Sequence, residues 1–252
     1  MPGRISSTGV STAALVVGAG PVGLTLAMDL AWRGIDVTVL ETRARGEPPS
    51  VKCNHVAART MEVFRRLGVA RAVREAEALP ADFPNDVSFR TTTTGIEFAR
   101  IHIPCRRDRY TDISGPDGWW PTPEPPHRIN QIYLEPVLFA LAAAMPGVRI
   151  LSRTTLTGFE QAADGVRAVA RNLDTDEEVR IDCAYLVGCD GANSEVRRAI
   201  GARLDGDAVV QRTQSSYIRA PDLIRRMQAA PAWSTQSLNP RRSANMFAID
   251  GR

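Results

Sequence analysis

Lysine is nearly missing from this chain: Lys52 is the sole lysine among 31 basic residues, so the positive charge is arginine. That reads as a coding bias of the source genome before it reads as function. Cysteine and histidine are scarce and scattered. Cys53, Cys105, Cys183 and Cys189 form no CxxC pair, and His55, His102 and His127 stand apart. A zinc centre needs ligands at short, repeated spacings, so no metal site is expected. Thiols scattered through a chain without a signal-peptide pattern suit a reducing, cytoplasmic setting. No apolar run approaches the roughly 20 residues that cross a bilayer, so no membrane span is expected. The 31 basic and 28 acidic residues are interspersed and leave a net charge of +3, which offers no basic face to nucleic acid or anionic lipid. No Ser-His-Asp or Cys-His set is present, and no residue is assigned a catalytic role.

What remains is an ordinary globular composition. The chain has 252 residues, 44% apolar and 23% charged. That length buries roughly three quarters of its unfolded surface without disulfide staples. Oligomeric state cannot be read from such a composition.

The first eleven residues are small and polar and predict a loose leader, the organised chain starting at Ala13. Ala13–Val17 reads as a short buried strand, followed at once by Gly18-Ala19-Gly20-Pro21-Val22-Gly23. Val22 to Trp32 predicts a helix, with Val22, Leu26 and Leu30 at helical spacing and Gly34 at the C-cap position. Ile35–Leu40 is rich in β-branched residues and predicts a second strand, ending in Glu41. Strand, glycine turn, helix, strand and acid together make a βαβ dinucleotide unit. Gly18 permits the tight turn, and Gly20 lets a diphosphate approach the N–H groups at the helix N-terminus. Gly23 lets helix and sheet pack closely. Glu41 stands 21 residues after Gly20, where a carboxylate accepts hydrogen bonds from a ribose diol.

Further along, Ala57 to Leu67 predicts a helix opened by Arg59 and stopped by Gly68. Asp86–Arg90 and Ile96–Ile103 predict strands joined by a threonine-rich turn. Pro104 to Pro126 holds six prolines, two glycines and the pair Trp119-Trp120, and predicts a long irregular loop. The tryptophans either line an aromatic pocket or pack the loop onto the body. A helix over Ile132–Met145, with Pro136 in its first turn, follows Asn130-Gln131. Segments at Val148–Leu151, Leu156–Gln161, Gly165–Arg171 and Glu177–Ile181 suit a β-meander, with Ala184–Val187 a further buried strand. Cys189-Asp190-Gly191 then leads to a short helix capped by Asn193 or Ser194, and a last strand is expected over Ala244–Ile249.

Four landmarks in this order resemble the single-component FAD-dependent aromatic hydroxylases, p-hydroxybenzoate hydroxylase being the best-known type. They are Gly18-x-Gly20-x-x-Gly23 with Glu41; Ala58-Arg59 through Leu67-Gly68; Asn130-Gln131 through Leu134-Glu135-Pro136-Val137-Leu138; and Cys189-Asp190-Gly191-x-x-Ser194-x-Val196-Arg197. The second is typical of the branch acting on phenols and polyketides. The resemblance implies an α/β fold: a Rossmann-like FAD-binding domain with a β-meander plus part of an α+β substrate-binding domain. It places the FAD-binding domain at 13–80 and 128–202, with 81–127 and 203–252 as substrate-domain segments. It implies that Gly18, Ala19, Gly20, Pro21, Val22 and Gly23 hold the FAD diphosphate and Glu41 the adenosine ribose. Arg59 would reach the flavin or its phosphates, Gln131 the flavin half, and Asp190-Gly191 both FAD and a visiting NADPH or NADH. The implied reaction inserts oxygen from O2 into a small aromatic substrate through a flavin hydroperoxide, chemistry that the cofactor carries.

The family's second flavin motif, a Gly-Asp followed by a Pro-x-x-Gly-x-Gly loop, has no counterpart here. Gly206-Asp207-Ala208 is followed by Val-Val-Gln-Arg and is read as a decoy. The expectation is therefore an N-terminal portion of a longer hydroxylase that binds FAD weakly by itself. The alternatives are another FAD oxidoreductase of the same fold (a reductase or halogenase) or a non-catalytic dinucleotide-binding remnant.

Overall fold

The computed structural model describes residues 9–49, 51–116, 118–207, 209–227 and 230–250. Residues 1–8 of the expected leader, Ala208 of the Gly-Asp-Ala triplet and the terminal Gly251-Arg252 lie outside the described residues. In chain order the elements begin β1 (Gly9–Val17), α1 (Pro21–Trp32), β2 (Val37–Glu41), β3 (His55–Val56), α2 (Ala58–Arg66), α3 (Ala70–Glu75), β4 (Val87–Arg90), β5 (Glu97–Ile101) and β6 (His127–Arg128). They continue α4 (Gln131–Ala144), β7 (Val148–Ser152), β8 (Thr154–Ala162), β9 (Gly165–Asn172), β10 (Glu178–Gly188), α5 (Glu195–Ala199), α6 (Leu223–Arg226), β11 (Ser234–Ser237) and β12 (Ala244–Phe247). The chain forms two compact units, Met1–Pro49 with Glu135–Arg212 and Ser50–Leu134 with Thr213–Arg252.

The first unit carries a six-stranded sheet in the order β7-β2-β1-β10-β9-β8. β7, β2, β1 and β10 run parallel, and β10, β9 and β8 form the antiparallel meander. β2 is buried along its whole length, as a central parallel strand requires. Leu15, Leu40, Ala168, Ala170, Ile181 and Cys183 form a core cluster between the βαβ strands and the meander, with Leu156 and Phe159 packed against it. Two expectations need correction. Gly9–Thr12 are not leader: they extend β1, because Arg180–Cys183 of β10 lie alongside to pair with them. Glu177–Ile181 and Ala184–Val187 are not separate strands either. β10 is continuous across Asp182-Cys183, its early residues pairing with β9 while its whole later course follows β1.

Within α1 the buried residues are Gly23, Leu24, Ala27 and Met28, and Val22 is exposed. The inward face is thus centred on the glycine, where the absent side chain lets the helix press closest, as expected of Gly23. Gly34 takes the left-handed φ of +78° expected of a helix-ending glycine.

In the second unit β12, β11, β4 and β5 form a sheet in that order, with β11 parallel to β4. α2 matches its expected span within a residue at either end and buries Met61 and Phe64. α4 starts at Gln131, with Asn130 Oδ1 accepting the Ile132 N–H at 3.1 Å as its cap. Pro136 falls in the second turn of α4, not the first, and cannot donate the helical bond to Ile132.

The described residues of Pro104–Pro126 form no helix or strand, as expected. The loop is held by charge rather than by apolar packing. Arg74 donates to Glu124 at 2.9 Å and to the Pro125 carbonyl at 2.7 Å, and Tyr110 donates to Glu124 at 2.6 Å. Arg106 lies 3.1 Å from Glu77. Burial pushes the Glu77 carboxyl up to about 7 in spite of nearby Arg106, and drives His127 down to about 3. Trp120 packs under the Arg109 guanidinium at 4.9 Å, whereas Trp119 is exposed.

Candidate functional site

The glycine turn between β1 and α1 is closed on one side and open on the other. Gly18 has φ +103°, and a Cβ there would stand 2.5 Å from the Cys189 carbonyl oxygen. A Cβ on Gly23 would stand 1.9 Å from the Gly18 carbonyl oxygen. Both positions require glycine because backbone already fills the space. Gly20 is different: a Cβ there would meet nothing within 4 Å. It caps α1 in extended conformation, no side chain caps the helix, and no acid sits in the first turn. The first-turn N–H groups of a helix have no intrahelical acceptor and carry the positive end of its dipole. The Gly18–Gly23 turn therefore leaves open space at Gly20 against the positive end of the α1 dipole.

Glu41 stands at this mouth. Its Oε2 accepts the Ala19 N–H at 2.9 Å, and its Oε1 accepts the Arg43 N–H at 2.9 Å and Nε at 3.1 Å. Burial alone would raise this carboxyl, but the Arg43 hydrogen bonds and the Ala19 N–H outweigh it and hold the group below its ordinary range. Arg43 in turn reaches Glu135 on α4 at 2.5 Å.

Asp190-Gly191 joins the same turn from β10. The Cys189 N–H donates to Val17 at 2.7 Å, and the Gly18 N–H to Leu40 at 2.8 Å. The Asp190 carboxylate accepts the Ser194 hydroxyl at 2.5 Å and the Glu195 and Val196 N–H groups at 2.7 and 3.3 Å. Ser194 then caps α5 by accepting the Arg197 N–H at 2.9 Å. Burial would raise the Asp190 carboxyl, yet these donors lower it. Asp190 thus ties the end of β10 to the start of α5. The resemblance gives Asp190 to FAD and NAD(P)H, but its carboxylate here accepts from Ser194, Glu195 and Val196, so Asp190→Asn is expected to cost about 1–2 kcal/mol in thermal unfolding, through loss of charge and cap, with FAD affinity nearly unchanged. Lost affinity at unchanged stability would instead put that carboxylate on the cofactor.

The structure brings Gly18–Gly23, Glu41 and Asp190-Gly191 together in the first unit. Arg59 and Gln131 belong to the second. Arg59 is exposed on α2 and pairs with Glu62. Gln131 is the first residue of α4, its N–H donating to the Lys52 and Cys53 carbonyls at 3.2 and 3.1 Å. Arg43 and Glu135 were given no role by the sequence reading. One signal was available: Glu135 is the only charge in the fourteen residues of α4.

The profile of the FAD binding domain family matches residues 11–246. This chain belongs to that family. Open space at the N-terminus of α1 with a carboxylate at the end of β2 is what an FAD-binding domain needs, so the residues fit the cofactor. The chain is 34% identical over 204 residues to 2,4-dichlorophenol 6-monooxygenase of Cupriavidus pinatubonensis, covering 78% of this chain and 32% of that protein. It is 35% identical over 195 residues to aklavinone 12-hydroxylase DnrF of Streptomyces peucetius subsp. caesius, covering 76% and 38%. The rebeccamycin biosynthetic enzyme RebC with reduced flavin superposes with a TM-score of 0.80 at 31% identity, covering 98% of this chain and 45% of RebC. The chain thus spans about a third of the length of these curated relatives. The expected α/β FAD-binding fold of the flavin monooxygenases stands. Among the described residues no helix is long and apolar enough to cross a membrane.

Proposed function

We propose that this chain is the FAD-binding part of an NAD(P)H-dependent monooxygenase that hydroxylates a phenolic or polyketide-like aromatic compound. The observation carrying the reading is the open space at Gly20 beside the Glu41 carboxylate, in a chain whose relatives include a dichlorophenol monooxygenase and an aklavinone hydroxylase. When bound, FAD reduced by NADPH or NADH supplies the activation of O2 and the insertion of one oxygen atom into an electron-rich ring.

The chain's own residues bind and orient. The α1 N-terminus and the backbone of Ala19–Gly23 receive the diphosphate, whose charge the helix end favours. Glu41 accepts from the adenosine ribose. Asp190-Gly191 closes the turn behind Gly18. By resemblance Gln131 and Arg59 serve the flavin half, and the Pro104–Pro126 loop belongs to the aromatic-substrate side. No side chain is asked to act as nucleophile.

FAD titrated into the purified chain is expected to quench its flavin fluorescence on binding, and FMN, lacking the adenylyl half, to bind more weakly. With a phenol present, NAD(P)H oxidation should carry label from 18O2 into the product in the complete enzyme. A chain that takes up no FAD even at saturating excess would sink the reading. NAD(P)H oxidation without label in any product would make the enzyme a reductase.

A further inference from the structure

Glu41 does not hold its place unaided. Two carboxylates, Glu41 and Glu135, share the single guanidinium of Arg43, at 3.1 Å from Nε and 2.5 Å from Nη2. Both acids are nearly buried, their side chains 9% and 7% exposed, while Arg43 is 28% exposed. Burial would lower the Arg43 pKa, but hydrogen bonds to the two acids raise it above its ordinary value. The Arg43 backbone is anchored as well, its carbonyl accepting the Arg153 N–H at 3.2 Å.

The division of contacts has a direction. Glu41 Oε1 takes the two short bonds from Arg43, whereas Oε2 takes the Ala19 N–H and only a 3.3 Å contact from Arg43 Nη2. Oε1, which also accepts the Thr42 hydroxyl at 3.3 Å, is therefore the more firmly held oxygen; Oε2, at the glycine turn, has one short bond and one long one, and the long one is what a ribose hydroxyl would replace. A planar guanidinium fixes two partners in one geometry, which an ammonium cannot do.

We infer that Arg43, anchored by Glu135, is a positioning residue that aims Glu41 Oε2 at the ribose and so sets this site's preference for a nucleotide with a free ribose diol. The inference rests on the reading of the glycine turn as a diphosphate site.

The test measures binding of ADP and 2′-deoxy-ADP to the 252-residue chain and its variants by calorimetry, with thermal unfolding as the check on folding. The wild type is expected to prefer ADP about tenfold, the worth of one hydrogen bond to a charged acceptor. Glu41→Gln should largely erase the preference. Arg43→Lys keeps the charge but not the fork, and Glu135→Gln keeps an acceptor but not the charge. Each is expected to fold and to cut the preference to about threefold or less, through weaker ADP binding with 2′-deoxy-ADP nearly unchanged. If either folded variant weakens both nucleotides equally, or leaves both unchanged, Arg43 serves only the fold and the inference is overturned. A wild type that binds ADP without preferring it removes the ribose contact, and the inference with it, while the diphosphate reading survives. A wild type that binds neither ADP nor FAD overturns both.

Discussion

Gly23→Ala is expected to destabilise the first unit by about 3 kcal/mol or more, whereas Gly20→Ala should leave it folded but bind FAD at least about tenfold more weakly. The contrast comes from what lies beside each Cα. At Gly23 the added methyl would meet the Gly18 carbonyl oxygen at 1.9 Å and the carbonyl carbon at 3.1 Å. These are backbone atoms with no rotamer to yield. Gly18 has no room to retreat, since its own Cβ position is 2.5 Å from the Cys189 carbonyl oxygen and its φ of +103° excludes most residues. Turn, helix start and the end of β10 are thus pressed together at backbone contact. Gly20, with φ −73° and ψ 179°, has a conformation open to any residue and nothing within 4 Å. As a helix N-cap its change to alanine should cost at most about 1 kcal/mol. On the proposed reading its methyl would instead occupy the space where a diphosphate would meet the N–H groups, weakening FAD at least about tenfold. Thermal unfolding and FAD titration of the two variants separate these effects. Wild-type FAD affinity in Gly20→Ala would show that the open mouth is not where the diphosphate sits.

The glycine turn was legible because its constraints are local. Strand, turn, helix and second strand follow one another directly, and the position of Glu41 follows from the lengths of the helix and strand between. What was hidden depended on distant partners. Nothing near Gly9 announces that β10 will pair with it, and nothing near Asp182 marks that β10 runs on there between β9 and β1. Glu41 could be placed at a strand end from spacing alone. Its clamp could not, because Glu135 comes from a helix far along the chain. In α1 the close packing of Gly23 could be read from the glycine pattern, while the burial of Leu24, Ala27 and Met28 beside it was set by the sheet they meet. In the second unit β11 reads Ser-Thr-Gln-Ser and offers no apolar alternation, yet Ser234, Thr235 and Ser237 are buried.

That polar strand belongs to a sheet with a charged interior, and the largest stability effect in the second unit is expected there. On β4 the inward residues are Ser88 and Arg90, both fully buried, while Val87 and Phe89 on the other face are only partly covered. Arg90 donates to Ser88 at 3.0 Å, to the Thr93 carbonyl at 3.1 Å and to Glu97 at 3.3 Å. Glu97 also accepts from Arg100, which reaches Asp86 at 2.9 Å. The counter-charge for Arg90 is therefore Glu97, whereas Arg100 has a second acid. Glu97→Gln would strand a guanidinium that has no exposure, and is expected to cost about 3–5 kcal/mol. Arg90→Met should cost less, because Glu97 keeps Arg100 and an apolar chain of similar length fills the space. An ordering with Arg90→Met as the worse variant would mean that packing, not charge pairing, holds this sheet. The pH dependence runs the same way. Hydrogen bonds from Arg100 chiefly, with Ser88 and Arg90, hold Glu97 down at about 2 against an ordinary 4.5. A depressed carboxylate stabilises the fold above its unfolded pKa, and that contribution is lost as pH falls through the folded value. Acid unfolding should therefore set in as pH drops below 4.5 toward 2, and the slope over that window should flatten in Glu97→Gln.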